Sequence, residues 1–470
     1  MQKKLVKIAG SYAFLEGLHK GAFFLLTPLF TKYISPAEYG NVSIFLMALT
    51  LLKILFSFSL EAAITRFYSR FKDYERYKLL LGNIFIFIIF VFILYVIIIL
   101  SIGKYLYISH TIDEKIFHLL LILLAVSVFY TLNNIYFTIL KTLQDIRKFF
   151  IFYNIYFILQ TGMIFYFIVI STFHPKDYAY TIALAISNIL FLVIIFHQLN
   201  KHMIFIYKKR LLKVALAYSI TFIPVQLINI FNTTIDRYIL LFWISSSAVG
   251  IYFLGYQIGT IISLILLAIN TAFVPIFFKL YDNKDFHTIQ NIISYLVFFS
   301  AILFLITLYS IPYLFTMFFP KNYQETLTVI PILLFKNALM VLYFINTNFL
   351  AINRQLNIYK IYVVLIGLIS NVIISILFVQ QYKLTAVAYG TLGGYIVIIL
   401  LLSTLVKRNF TIKIYTNIYL LLFFSLYLIN YIVTTTDINT IYGFLFSIIL
   451  ISCYWYFTHN YLLMKQEVSK

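Results

Sequence analysis

An all-helical, polytopic membrane fold of about fourteen spans is what this sequence predicts, each span needing about 20 mainly apolar residues, and three observations predict it. Of its 470 residues, 63% are hydrophobic and 11% are charged, whereas soluble domains carry roughly 25% charged residues. The apolar residues fall in runs of span length separated by short polar segments. Lys and Arg gather in alternate segments between those runs, the bias that insertion imposes on cytoplasmic loops. No polar stretch is long enough to form a soluble domain beside the membrane domain.

Taken in order, the runs lie near residues 10–33, 40–64, 80–102, 117–138, 150–172 and 179–199, then 214–242, 249–278, 292–316, 326–349, 361–380 and 386–405, with a last pair near 415–433 and 441–459. Lys3, Lys4 and Lys7 precede the first run as in a signal peptide, but Glu16 and Lys20 interrupt its apolar centre and no small-residue cleavage site follows, so it is expected to remain as a helix. With the N-terminus inside, the basic clusters Arg66 to Lys78, Lys141 to Lys148 and Lys201 to Lys213 all fall on the cytoplasmic side, as do Lys279 and Lys284, Arg354 and Lys360, Lys407, Arg408 and Lys413, and both termini. Outer loops hold only Lys32, Lys104, Lys115, Lys176, Lys321 and Lys383, which leaves Lys20, Lys53, Arg237 and Lys336 within spans. The formal charge of +20 is therefore chiefly a topology signal that also docks the protein on anionic membrane lipids, not a nucleic-acid footprint. The 40 Tyr suit helix ends at the lipid boundary, and a single cysteine, Cys453, allows neither an internal disulfide nor a Cys-based metal site.

The chain also repeats itself. Tyr33-Ile34-Ser35-Pro36-Ala37-Glu38-Tyr39-Gly40 joins spans one and two, and Trp243-Ile244-Ser245-Ser246-Ser247-Ala248-Val249-Gly250 joins spans seven and eight, with Ile, Ser and Gly at the same offset; Thr50 and Thr260 extend the match. Each has small, turn-forming residues that end one helix and a Gly that opens the next. Six spans separate the copies, so both have one orientation, which predicts two parallel six-helix lobes related by an axis along the membrane normal. The expected divisions are 1–213 and 214–405 for the lobes and 406–470 for an additional helix pair and cytoplasmic tail.

Several segments resemble the polysaccharide flippases of the multidrug/oligosaccharidyl-lipid/polysaccharide exporter superfamily, the Wzx-like proteins. Leu29-Phe30-Thr31-Lys32-Tyr33-Ile34-Ser35-Pro36-Ala37-Glu38-Tyr39-Gly40 looks like that family's first outer turn, and Leu60-Glu61-Ala62-Ala63-Ile64-Thr65-Arg66-Phe67-Tyr68 looks like its second-helix exit, although Leu60 replaces a small residue. Asp236-Arg237-Tyr238-Ile239-Leu240-Leu241 leading to Ala248-Val249-Gly250-Ile251-Tyr252, and Phe318-Phe319-Pro320-Lys321-Asn322-Tyr323, are similar to its second lobe. The resemblance implies a flippase of bacterial cytoplasmic (inner) membranes that moves a lipid-linked oligosaccharide for surface polysaccharide assembly. Other polysaccharide-assembly membrane proteins are its implied partners, and no cofactor is implied.

Such a substrate joins sugar to a polyprenyl tail through phosphate or diphosphate, so its path must offer cations and hydrogen bonds inside the membrane. Tyr12, Glu16 and Lys20 share one face of span one at four-residue spacing, where Glu16 and Lys20 can pair. Span two aligns Lys53, Ser57 and Glu61, with Arg66 just beyond. Span seven carries Gln226, Asn229, Thr233 and Asp236 along one side with Arg237 adjacent, and span ten holds Lys336 with Tyr343 seven residues later. An unpaired charge at a span's centre costs about 2.5–3.5 kcal/mol even on lenient scales, so these cations are expected to face protein or water. Lys20, Lys53, Arg237, Lys336 and Arg66 are thus the candidate substrate-binding residues, with structural pairing open for Lys20 and Lys53, snorkelling or a distant partner for Lys336, an interfacial place for Arg237, and a topology anchor for Arg66. Glu16, Glu61 and Asp236 are candidates for ion coupling or charge balancing, and Asn188 and Asn371 for interhelical hydrogen bonds.

No Walker-type loop, HExxH pair or Cys-rich spacing is present, and no catalytic or metal-ligating residue is expected. The rival from another class is a membrane glycosyltransferase, polymerase or ligase acting on lipid-linked sugars. The longest outer connection, near Gly103 to Ile116, carries His110, Asp113 and Glu114 and reads as a solvated loop. A drug or metabolite exporter of the same superfamily is the rival within transport, and the intramembrane cations favour an anionic substrate over its cationic ones.

Overall fold

The computed structural model describes residues 2–71, 73–98, 100–101, 114–410, 415–436 and 440–467, and among these every regular element is helical. Eleven helices are long and apolar enough to cross a membrane. One of them, Ile358–Asn409, is two spans that meet at Lys383, whose φ of 49° and ψ of −121° interrupt the helix. The opening helix Gln2–Thr31 and the last helix Thr440–Glu467 complete the expected order of 14. The connection from residue 103 to 113, with His110 and Asp113, lies outside the described residues.

Spans two and ten are broken where simple helices were expected. Span two is Pro36–Ser57 followed by Leu60–Arg70, because Phe58 and Ser59 both take left-handed backbone with φ of 47° and 58°. Neither is Gly, and each such residue costs about 1–2 kcal/mol, so packing must hold the break. Phe58 meets the Phe87 ring edge-on at 5.4 Å, and the Ser59 N–H donates to Ser57 Oγ at 3.2 Å. Span ten starts as the 3-10 turn Lys321–Thr328 after Pro320, continues as Ile330–Ala338 with Pro331 in its first turn, and ends as Met340–Leu350.

The two repeated turns are built alike at their serines. Ser35 Oγ accepts the Glu38 N–H and Ser245 Oγ accepts the Ala248 N–H, each satisfying a donor that the first helical turn leaves unpaired. Only the first copy closes a reciprocal box, the Ser35 N–H donating to Glu38 Oε2 at 2.9 Å. Glu38 Oε1 also accepts the Lys176 N–H at 2.8 Å, tying this turn to the start of span six.

The chain divides into two compact units, Lys7–Ile235 and Asp236–Lys470 with Met1–Val6. In the first, span four, Glu114–Thr142, packs against span six, Lys176–Lys201. Lipid tails are as apolar as Leu, so such helices associate through close packing and interhelical hydrogen bonds. Asn133 Nδ2 donates to Asn188 Oδ1 at 3.0 Å and to its carbonyl at 3.1 Å, while Tyr156 of span five donates to Asn188 Oδ1 at 3.2 Å, which gives Asn188 the interhelical role expected of it. The segment after span six is strapped to span three: the Ile204 N–H donates to the Lys78 carbonyl at 3.1 Å, and a Cβ on Gly82 would lie 2.0 Å from the Ile204 oxygen.

In the second unit, glycines let spans eleven and twelve approach. A Cβ on Gly390 would lie 2.0 Å from Ser375 Oγ, and one on Gly394 2.5 Å from the Gly367 oxygen. That close approach brings Asn371 of span eleven and Thr391 of span twelve within reach of one carboxylate on span seven, described below. Ser294 and Tyr419 hydroxyls, 2.9 Å apart, join spans nine and thirteen, and the Trp455 ring of the last helix meets Phe298 at 4.6 Å. Cys453 is exposed on that helix.

Candidate functional site

In the first unit two of the candidate charges, Lys53 and Glu61, meet each other, and a third, Glu16, meets a lysine of another span. Lys53 Nζ lies 3.7 Å from Glu61 Oε1. The sequence places them two turns apart on one stripe; in the structure the stripe passes through the Phe58–Ser59 break. Glu61 Oε2 is buried without a hydrogen-bond partner among the described residues, so the pair leaves this carboxylate half satisfied. Glu16 does not pair with Lys20. Its partner is Lys141 of span four, which also lies 5.4 Å above the Phe149 ring. Lys20 is one turn further along span one and exposed, and among the described residues it has no ion-pair partner. Between them on the helix, His19 is sandwiched by the rings of Tyr153 at 4.7 Å and Phe157 at 4.3 Å, with Nε2 3.0 Å from Asn154 Oδ1. Arg66 is exposed in the last two turns of Leu60–Arg70.

In the second unit the charged residues lie on neutral groups. Asp236 is buried, and its carboxylate gathers hydrogen bonds from three spans. Asn371 Nδ2 donates to Oδ1 at 3.0 Å and Tyr252 O–H to Oδ2 at 3.0 Å. Thr391 Oγ1 lies 2.9 Å from Oδ2 and 2.9 Å from the Val387 carbonyl, with one proton to give to the two. Asn371 therefore bonds between helices as the sequence suggested, and its acceptor is the candidate carboxylate itself. Arg237, the next residue, points another way: its guanidinium carbon is 4.5 Å from the Phe253 ring centre and 4.9 Å from that of Tyr256. Tyr252 and Tyr256 are one turn apart on span eight, so a single helix face meets first the acid and then the base.

Lys336 is buried near the middle of span ten, and Nζ lies 5.7 Å from the Tyr256 ring centre and 5.1 Å from that of Tyr395. Tyr256 is thus shared by Arg237 and Lys336. A ring face attracts a cation by about 0.5–2 kcal/mol without neutralising it, which keeps a charge in an apolar surround available to an anion. Among the described residues Lys336 has no carboxylate within ion-pairing distance. The site therefore brings together Asp236, Arg237 and Lys336. The sequence marked these three but not their aromatic partners, because the Tyr content read as boundary residues; the four-residue spacing of Tyr252 and Tyr256 was the available sign. No group of three or more His, Cys, Asp or Glu side chains that could hold a metal occurs among the described residues.

A protein-family model described as polysaccharide biosynthesis protein matches residues 5–281. No curated protein sequence is significantly similar to the chain. Among solved structures, lipid II flippase MurJ in an inward closed conformation superposes with a TM-score of 0.67 at 18% identity, over 98% of this chain and 100% of that one. A multidrug resistance MATE family transporter of the MOP superfamily, inward-facing, gives 0.63 at 15% identity over 85% and 96%. A Vibrio cholerae MATE transporter, VcmN, gives 0.59 at 14% identity over 86% and 97%. At these identities the likeness is one of fold.

Proposed function

Because the chain belongs to the polysaccharide biosynthesis protein family and folds as MOP-superfamily transporters do, we propose that it is a flippase carrying a polyprenyl-phosphate- or polyprenyl-diphosphate-linked oligosaccharide from the cytoplasmic to the outer leaflet. The observation that carries the reading is the pair of buried cations, Arg237 and Lys336, held on ring faces. Buried charge is costly within a membrane and marks a substrate or ion pathway; an anionic head group is the ligand that cations so held would take. In this reading Arg237 and Lys336 bind the phosphate groups, with Lys20 as a further contact, while Lys53 is held by Glu61 and the polyprenyl tail stays in lipid. Arg66 anchors the cytoplasmic end of span two. Asp236 balances the nearby cations, as Glu16 and Glu61 balance Lys141 and Lys53.

The lobes 1–213 and 214–405 would work by alternating access, with the helix pair of 406–470 outside the repeat. Both termini would lie in the cytoplasm of a bacterium, and the protein in its inner membrane. A superfamily drug exporter is the reading that a multidrug transporter of the same fold brings in; cations at the centre of the second unit favour the anionic substrate instead. The deciding experiment is transfer of a labelled polyprenyl-diphosphate oligosaccharide across proteoliposomes. Transfer by wild type, lost in Lys336→Gln with folding intact, is the expected result; chemical change of the sugar without transfer would replace a flippase by an enzyme.

A further inference from the structure

The rings around Lys336 continue beyond it. Tyr395, which holds Lys336 at 5.1 Å, lies 5.9 Å from Tyr343, and Tyr343 in turn carries the Nζ of Lys360 at 5.4 Å. Cations and rings therefore form one file, with one ring between Arg237 and Lys336 and two between Lys336 and Lys360: Arg237, Tyr256, Lys336, Tyr395, Tyr343 and Lys360. The file descends through the unit. At about 1.5 Å per helical residue, Arg237 and Lys336 lie roughly 10–15 Å from the end that holds Ile244 and Lys383, and Lys360 lies roughly 35 Å from it. Lys360 is the member nearest the turn at Asn353, the side assigned above to the cytoplasm, and it is half-buried.

By sequence Lys360 is one of the basic residues that set topology, and a topology anchor snorkels toward head groups. Here the ammonium instead sits over a ring that leads inward. Among the described residues neither Lys336 nor Lys360 has a carboxylate within ion-pairing distance, unlike Lys53 and Lys141, which are neutralised. A ring seats a cation and leaves its charge to the next anion, so a phosphate can move from one such cation to the next without first breaking an ion pair.

We propose that Lys360 is a further substrate-binding cation: it takes the phosphate or diphosphate of the lipid-linked substrate at the inner end and passes it along Tyr343 and Tyr395 to Lys336. This rests on the flippase reading and adds to it an entry residue and a direction. The test is binding to the full-length protein in lipid nanodiscs, with a polyprenyl diphosphate, the matching polyprenol and inorganic pyrophosphate as probes, alongside the sidedness of a C-terminal tag in vesicles. Lys360→Gln should weaken polyprenyl diphosphate about tenfold, the loss of one charge-assisted contact, and leave polyprenol and the tag's sidedness unchanged. Lys360→Arg should restore binding, and Tyr343→Leu should weaken it, since the cation loses its seat.

Wild-type affinity in Lys360→Gln while Lys336→Gln loses binding would overturn the role of Lys360 and leave the flippase reading standing. Reversed tag sidedness in Lys360→Gln would make the residue an anchor. No preference of the wild type for diphosphate over polyprenol would sink both. Pyrophosphate bound as tightly as the lipid would overturn a lipid-linked ligand in favour of a free anion.

Discussion

The two units seat their charges differently, with Lys20 of the first standing apart as an exposed cation that has no ion-pair partner among the described residues. In the first, Lys53 meets Glu61 and Lys141 meets Glu16, cation against carboxylate. In the second, Arg237 and Lys336 rest on Phe253, Tyr256 and Tyr395, and Asp236 takes its hydrogen bonds from Tyr252, Asn371 and Thr391. A carboxylate partner spends the cation's charge within the fold, whereas a ring partner leaves that of Lys336 for a ligand. The paired turns at Ser35 and Ser245 show that related helices begin alike; what differs is the chemistry hung on them, and that difference divides charge paired with a carboxylate from charge seated on rings.

The largest effect expected from this division is at Lys336. Hydrogen bonds to charged groups contribute about 1.5–3 kcal/mol, so Lys336→Gln should slow transfer in proteoliposomes roughly 10- to 100-fold. Lys53→Gln tests the other side. It strands Glu61, whose second oxygen already lacks a partner, so its damage should appear as lower thermal stability in detergent, and Lys53→Gln combined with Glu61→Gln should recover stability and most transfer. A double variant as inactive as Lys336→Gln would erase the division, because Lys53 would then act on substrate as well.

Asp236→Asn should be next in size. The amide can keep its oxygen on Asn371 Nδ2 and donate to the Tyr252 and Thr391 hydroxyls, whose protons then turn to Thr391 Oγ1 and the Val387 carbonyl, so what is lost is the charge assistance of three buried bonds. Hydrogen bonds to charged groups contribute about 1.5–3 kcal/mol against about 0.5–1.5 for neutral ones, and the unfolding midpoint in detergent should fall by the equivalent of about 1–3 kcal/mol. Glu61→Gln, in a partly buried pair whose contact is long at 3.7 Å and whose second carboxylate oxygen already lacks a partner, should lose about 1 kcal/mol or less. The reverse order of the two would mean that the Asp236 cluster contributes little to packing of spans seven, eleven and twelve.

What could be read beforehand was what helical spacing and composition govern. Spans follow from run length, the turns at Ser35 and Ser245 from capping chemistry, and Lys53 with Glu61 from two turns of one stripe. Lys336 and Arg237 stood out because a cation in an apolar run is costly wherever it points. Spacing along one helix says nothing of the neighbour's rotation, which is why Glu16 was matched with Lys20, four residues away, and its actual partner Lys141, 125 residues away, was not foreseen. Tyr343 stood out only as a neighbour of Lys336 on span ten, while Tyr256 and Tyr395 were hidden by their number among the 40 Tyr of the chain. Phe58 and Ser59 gave no sign of a break, since neither Gly nor Pro marks it.

That break yields the smallest expected effect and the sharpest check on how the first unit pairs its charges. Ser59 is left-handed with φ of 58°, its hydroxyl is buried without a partner among the described residues, and its backbone N–H, not its side chain, bonds to Ser57. Ser59→Gly should relieve about 1–2 kcal/mol of left-handed strain and remove an orphan hydroxyl, while the freer unfolded chain returns roughly 0.5–1 kcal/mol. The net should be a gain of up to about 1 kcal/mol, a few degrees in the unfolding midpoint, with Lys53 still opposite Glu61 and transfer unchanged. Phe58→Gly relieves the same backbone but loses the contact with Phe87, so it should be the less stable of the two. A Ser59→Gly variant that is destabilised would show that the serine side chain holds the turn, and that the Lys53–Glu61 geometry depends on more than the backbone break.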